Sequence, residues 1–166
     1  MKRSFITLLL TSAIIAVGAV SVAAAEPKPA EVSPARLEDA KAFYIDSVIG
    51  GHVTGRRIAG KPPYPPAKMA ALRKFYIRWT AEVVLPYMRR KGILNDWVAI
   101  QCDPDVRKLD EKILGAKNVG EFVELSEESN ILIQKRYPDY YAKYSTPEWE
   151  SLHEKRWEAV KRLMAE

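Results

Sequence analysis

Residues 67–92, AKMAALRKFYIRWTAEVVLPYMRRKG, carry the strongest helical pattern in the chain. One apolar stripe recurs at helical spacing and consists of Met69, Leu72, Tyr76, Trp79 and Val83. Apolar residues three and four positions apart lie on one helix face, which is buried against other elements. Pro86 lacks a backbone N–H and is expected to kink or end this helix, and Gly92 is expected to stop what remains. The segment therefore predicts a long helix in the middle of the fold.

The residues before this helix predict a second one. Ser33 as N-cap and Pro34 in the first turn form a typical helix start. One face is shared by Leu37, Ala40, Tyr44 and Val48. The pair Gly50 and Gly51 is expected to end this helix. Residues 50–66, GGHVTGRRIAGKPPYPP, then predict a proline-stiffened loop that leads into the long helix.

Three further helical patterns occupy the C-terminal half. Asp103 caps a helix that Gly115 is expected to close. Residues 118–138 contain another helix, which ends before the proline at its far end. The last pattern starts near Ser145, where Glu148 three residues on predicts a capping box.

The fold class expected from these patterns is all-α. Residues 93–102 are ambiguous between helix and strand, and residues 138–144 predict an aromatic turn or a short helix. No internal repeat or hairpin signal is present. We therefore expect a compact single domain of five or six helices over residues 33–166.

The first 25 residues have the layout of a secretory signal peptide. Lys2 and Arg3 precede an apolar run over residues 5–22, and small residues follow up to Ala25. Cleavage after Ala25 is expected, with an uncleaved membrane anchor as the alternative. Residues 26–32 are interpreted as a flexible leader. The prediction is a periplasmic or secreted protein with no transmembrane helix in its mature chain.

The single cysteine, Cys102, has three interpretations. One thiol cannot form an internal disulfide, so the core is expected to hold without covalent cross-links. A buried, small apolar side chain is the favoured interpretation. An intermolecular disulfide and a catalytic thiol are the alternatives, and nothing beside Cys102 in the sequence argues for an activated thiol.

The aromatic residues and the second histidine are interpreted as core. The four tryptophans fall at helical spacing, and they are Trp79, Trp97, Trp149 and Trp157. His153 lies four residues from two of them and is expected half-buried at the core edge. Four tyrosines near Pro138 are assigned to the same edge, with a surface patch for a glycan or a peptide as the alternative; they are Tyr137, Tyr140, Tyr141 and Tyr144.

Positive charge is concentrated in residues 50–91. The whole chain has a formal charge of +5, whereas this segment alone holds ten basic residues and one acid, Glu82. A concentrated positive field attracts anionic partners and raises encounter rates. The alternative is a solvated helix face, or internal pairing with the acidic C-terminal half.

The leading functional hypothesis is a binding or accessory protein. The expected ligand-binding residues are Arg56, Arg57, Lys61, Arg73, Lys74 and Arg78. Arginine suits bidentate recognition of carboxylate or phosphate. The candidate partners are an acidic protein, an anionic polysaccharide, a lipid headgroup or a small anion. Nucleic acid is disfavoured as a partner because the chain has no recognised nucleic-acid-binding motif, and because its predicted signal peptide directs it out of the cytoplasm.

The alternative hypothesis is a small enzyme that acts on an anionic metabolite. Arg56 or Arg57 would clamp the substrate, and His52 or Glu82 would serve as the acid-base group. The simpler interpretation of Glu82 is an ion pair with Arg78, four residues before it. No pattern for zinc, calcium, haem or a phosphate-binding loop is present, so no metal or cofactor is predicted.

Overall fold

The computed structural model describes residues 32–165, and all regular structure among them is helical. The elements in chain order are α1 (Pro34–Ile58), α2 (Pro66–Trp79), a π-helical turn (Thr80–Val84), α3 (Leu85–Arg90), α4 (Leu94–Gln101), α5 (Pro104–Gly115), α6 (Val119–Arg136), α7 (Pro138–Tyr144) and α8 (Pro147–Ala165). The expected all-α class is confirmed for this part of the chain. The predicted signal peptide and residues 26–31 of the leader lie outside the described residues.

The described residues form seven helices rather than the expected five or six, because residues 93–102 and 138–144 each contain a helix, α4 and α7. In this count α2, the π turn and α3 are a single helix, since they continue as one rod. Pro86 therefore does not end the long helix. In a regular α-helix its ring would clash with the carbonyl of the residue four positions before it. The π turn widens the helix directly before Pro86, and the N–H of Leu85 donates to the Thr80 carbonyl five residues back.

The π turn also changes which face of the rod is buried. Its wider spacing inserts one residue into the repeat, so Val84 is fully buried while the predicted Val83 is only partly buried. The same change explains why Glu82 forms no ion pair with Arg78 among the described residues. Four-residue spacing stacks side chains only where the α-helical repeat continues.

The predicted end of the first helix at Gly50 and Gly51 is wrong, since α1 continues to Ile58. A Cβ atom at Gly50 would lie 2.7 Å from a methyl carbon of Leu114, so this glycine allows α1 and α5 to pack closely. The true stop is Gly60, whose φ of 65° is the left-handed conformation that glycine adopts without strain.

The ending at Gly60 is a Schellman motif. The N–H of Lys61 donates to the Arg56 carbonyl at 3.0 Å, and the N–H of Gly60 donates to the Arg57 carbonyl at 3.0 Å. Residues 52–58 are therefore helical, and the predicted loop is reduced to a short link before α2. Gly92 ends α3, as predicted.

Two apolar clusters form the core. The larger one surrounds Trp97 and Tyr87, and the smaller one surrounds Leu72 and Tyr76 between α1, α2 and α8. Partly buried Tyr44 packs against both clusters. The ambiguous residues 93–102 contain α4 (Leu94–Gln101), which buries its apolar side in the larger cluster.

Polar side chains cap several helices. Ser33 and Asp103 are N-caps, as predicted. The predicted capping box at Ser145 is wrong, because the Thr146 hydroxyl accepts the N–H of Trp149 at 3.3 Å. Glu148 instead forms ion pairs at the C-terminal end of α3.

The other predictions about buried residues have mixed outcomes. Cys102 is half-buried against the larger cluster rather than fully buried, and its thiol lies 3.6 Å from a carboxylate oxygen of Asp39. The tyrosines of α7 lie at the core edge, where only Tyr141 is exposed. The prediction that Trp157 is a core residue is wrong, since this residue is 48% exposed. His153 is also exposed, with its ring against Trp149.

Candidate anion-binding site

Three neighbouring clefts run from the C-terminal end of α1 and the link to α2 onto α8, and the third is lined by α8 alone. The first, of about 220 Å³, and the second, of about 240 Å³, share Arg56, Lys61 and Tyr64 as walls. The second meets a third cleft, of about 580 Å³, at Trp157. Because consecutive clefts share wall residues, we treat them as one feature, the α1–α8 groove.

Arg56 is held in a defined orientation in this groove. Its Nε donates to the Pro62 carbonyl, and its guanidinium carbon lies 4.4 Å from the centroid of the Tyr64 ring. The terminal amino groups donate to no group among residues 32–165. The prolines that stiffen the link thus place both a carbonyl and an aromatic ring against Arg56, and the fork of the guanidinium is left for a ligand.

Lys61 stands beside Arg56 because the Schellman turn reverses the chain at Gly60. Within the described residues its ammonium forms no ion pair. No carboxylate from the described part of the chain lines the first two clefts. The two cations therefore face a space without a counter-ion from the described part of the chain.

The other predicted ligand-binding residues are placed differently. Arg57 lines the first cleft, but its guanidinium donates to the carbonyls of Leu114 and Ala116, each at 2.9 Å, and so binds the C-terminal end of α5. Arg73 forms an ion pair with Asp46 at 2.5 Å. The last two, Lys74 and Arg78, are exposed on α2 and line none of the three clefts.

His52 lies on α1, in the wall of the second cleft. Its Nε2 shares a 2.7 Å hydrogen bond with the hydroxyl of Tyr76, and its ring stacks on Trp157 with centroids 5.8 Å apart. Burial raises the pKa of Tyr76 to about 12, so the hydroxyl keeps its proton. Burial and then the Arg156 cation lower the pKa of His52, which favours the neutral ring.

The second acid-base candidate, Glu82, is not brought to the groove. It is exposed on the π turn and lines none of the three clefts. His52 and Glu82 therefore do not share a cleft. Residues 32–165 also contain no cluster of three or more His, Cys, Asp or Glu side chains that could hold a metal ion.

Sequence reasoning missed three residues of the groove. Tyr64 was part of the proline-rich segment and carried no separate signal. Trp157 was assigned to the core because its spacing on α8 is the same as that of buried residues. Arg156, whose buried Nε has no hydrogen-bond partner among residues 32–165, lies in the acidic half of the chain and outside the segment singled out for charge.

Replacing His52 with glutamine is expected to lower the free energy of unfolding by on the order of 1 kcal/mol at pH 7, through the bond to Tyr76. A histidine whose pKa is lowered by folding contributes its full stabilisation above the unfolded pKa and loses it as the pH falls toward the folded pKa. The difference between wild type and His52→Gln should therefore shrink from pH 7 to pH 5. Urea unfolding at both pH values measures it.

His153 is present in both proteins, so its own titration cancels in this comparison. A Tyr76→Phe variant serves as the control, because it removes the same hydrogen bond and keeps the titrating ring. A difference that is identical at pH 7 and pH 5 would contradict the neutral, bonded state of His52.

None of the helices in the described part of the chain combines the length and apolarity needed to cross a bilayer. Comparison with models of protein families, with curated proteins and with solved structures found no match.

Proposed function

We propose that this chain is an exported binding or accessory protein that captures an anionic partner in the α1–α8 groove. The observation that carries the proposal is Arg56, which is oriented by Pro62 and Tyr64 while its terminal amino groups remain available. A side chain already held in its binding conformation loses little entropy when a ligand arrives. Carboxylate and phosphate are the groups that match its planar fork.

Internal pairing supports a localised site rather than a uniformly basic surface. Apart from Arg56, whose Nε donates to the Pro62 carbonyl, five of the ten basic side chains in residues 50–91 bind other groups of the chain, and they are Arg57, Lys68, Arg73, Arg90 and Lys91. Of the cations that remain, Arg56 and Lys61 face the same two clefts. The anionic partner is therefore expected to bind mainly through these two residues, with Arg57 at the edge.

The proposal is tested by isothermal titration calorimetry with citrate and with inorganic phosphate. The double variant Arg56→Ala/Lys61→Ala should bind at least about tenfold more weakly than wild type, because charge-assisted hydrogen bonds are lost. The matched control Lys74→Ala/Arg78→Ala removes the same charge outside the groove and should change affinity by less than about threefold. Binding should also weaken as salt is raised.

Equal losses in the two double variants would show that only net charge matters, and would contradict a site at the groove. Absence of any binding by wild type to either anion would do the same. The enzyme hypothesis with His52 as acid-base group stays a prediction. It requires that a bound anionic metabolite be recovered chemically altered after incubation with the protein.

A further inference from the structure

The α1–α8 groove is longer than a small anion requires. Its three clefts lie side by side and share wall residues, Tyr64 between the first and second and Trp157 between the second and third. Arg56 and Lys61 serve only the first two clefts, and the third is the largest, at about 580 Å³. A single carboxylate or phosphate group would leave most of this space empty. The geometry favours an extended ligand that occupies consecutive clefts.

An aromatic side chain stands where the second and third clefts meet. Trp157 is 48% exposed, and its ring is kept in place by His52, which stacks on it at an interplanar angle of 14°. Tyr64 supplies a second ring that lines the first two clefts, but it is half-buried and the guanidinium of Arg56 lies over it, so Trp157 is the exposed ring. Exposed, fixed aromatic rings provide apolar platforms for a flat ring of a ligand.

The charge of the walls changes sign along the groove. Arg56 and Lys61 line the first two clefts, whereas Glu150 and Glu154 line the third. Arg156 lies in the same third cleft but forms no ion pair with either glutamate within the described residues. A ligand with negative charge on every unit would bring like charges together at the third cleft. The groove therefore fits a ligand that is acidic at one end and rich in neutral hydroxyl groups at the other.

We infer that the ligand of the groove is an oligosaccharide that carries a carboxylate sugar, and this inference rests on the anion-binding function proposed above. The carboxylate sugar occupies the clefts of Arg56 and Lys61, a sugar ring lies against Trp157, and hydroxyl groups of the next sugar donate to Glu150 and Glu154. Carboxylates are strong acceptors for such hydroxyl donors. A single strand of nucleic acid also combines phosphates with stacking rings, but its regular charge conflicts with the two glutamates.

The test compares four ligands by calorimetry with the wild-type chain. They are galacturonate, a tetrasaccharide of one galacturonate and three neutral sugars (the acidic tetramer), a neutral maltotetraose, and a thymidine tetranucleotide, whose charges repeat along the strand. The acidic tetramer is expected to bind at least about tenfold more tightly than galacturonate, because it engages consecutive clefts. Maltotetraose and the oligonucleotide are expected to bind more weakly than the acidic tetramer.

The second measurement uses Trp157→Ala, with Tyr141→Ala as the matched control for loss of an exposed aromatic ring. Trp157→Ala should weaken binding of the acidic tetramer by about tenfold, and by a larger factor than it weakens binding of galacturonate. Tyr141→Ala should change neither. Thermal unfolding followed by circular dichroism verifies that both variants are folded, and a Trp157→Phe variant that restores part of the tetramer affinity would support stacking.

Two outcomes overturn the inference and leave the proposed function intact. In the first, wild type binds the acidic tetramer no more tightly than galacturonate. In the second, Trp157→Ala does not change the affinity for the acidic tetramer. In both cases Arg56→Ala/Lys61→Ala still weakens the binding of galacturonate. Oligonucleotide binding as tight as that of the acidic tetramer would identify nucleic acid as the ligand class instead. If the wild-type chain binds none of the tested anions, the proposed function itself is overturned.

Discussion

Replacement of Trp97 by alanine is expected to lower the free energy of unfolding by about 3–5 kcal/mol. The side chain is 1% exposed in the larger apolar cluster, and its ring meets that of Tyr44 edge to face, with centroids 5.7 Å apart. Truncation removes the transfer free energy of the indole and leaves a cavity that the surrounding helices only partly close. Trp97 also connects α4 to α1, so the contact between these helices is weakened.

Urea unfolding followed by circular dichroism measures this effect, with Trp157→Ala as the control. Both variants lose an indole from a helix, but Trp157 is half-exposed, and its loss should reduce the free energy of unfolding by less than about 1 kcal/mol. If Trp97→Ala does not fold, Trp97→Phe gives a smaller loss that can be measured. Equal losses at the two positions would contradict the assignment of Trp97 to the core.

Replacement of Asp103 by alanine is expected to lower the free energy of unfolding by about 3 kcal/mol at pH 7. The carboxylate accepts the N–H of Asp105 at 2.9 Å and so caps α5. It also accepts from the guanidinium of Arg136 at 2.8 Å and from the hydroxyl of Tyr137 at 3.2 Å, which joins the start of α5 to the end of α6. The substitution removes the cap and both connections at once.

The same site predicts sensitivity to acid. Burial alone would raise the pKa of Asp103, but hydrogen bonds from Arg136 and from backbone N–H groups hold it below the ordinary value of 3.8. A carboxyl with a lowered folded pKa stabilises the fold above its unfolded pKa, and this contribution is lost as the pH falls through the folded pKa. The stability difference between wild type and Asp103→Ala should therefore be largest near neutral pH and should decline below about pH 4.

Two further variants separate the cap from the ion pair. Asp103→Asn keeps an oxygen that can accept the backbone N–H groups, so it should lose less stability than Asp103→Ala. Arg136→Gln keeps the cap and removes the ion pairs of Arg136 with Asp103 and Asp105; because the Arg136 side chain is 41% exposed, this loss should be about 1 kcal/mol. A difference between wild type and Asp103→Ala that stays constant from pH 7 to pH 3 would contradict the lowered pKa of Asp103.

The helix starts were predictable because their signals are local. Ser33 and Asp103 accept backbone N–H groups two or three residues away, so the sequence within one turn is sufficient. Gly92 likewise ends α3 through a conformation of its own backbone. The helical periodicity on either side of these signals was enough to predict an all-α fold.

The predictions that failed depended on contacts between distant residues. Gly50 has the residue type of a helix stop, but Leu114, more than sixty positions away, makes it a point of close helix packing. Val83 and Val84 are equivalent by type, and the π turn before Pro86 decides which of them is buried. Neither outcome can be read from a local pattern, because the deciding atoms come from another helix or from a changed helical repeat.

The candidate site shows the same division. The distribution of charge along the sequence located the positive charge in residues 50–91 and directed attention to Arg56, Arg57 and Lys61. Only the tertiary structure decided which cations are paired internally, because Leu114, Asp46 and Glu148 lie far along the chain from the arginines they bind. The exposed position of Trp157 was likewise decided by the packing of α8 on α2. A periodic apolar stripe shows which side of a helix is buried, but it does not show how far along the helix the neighbouring helix covers that side.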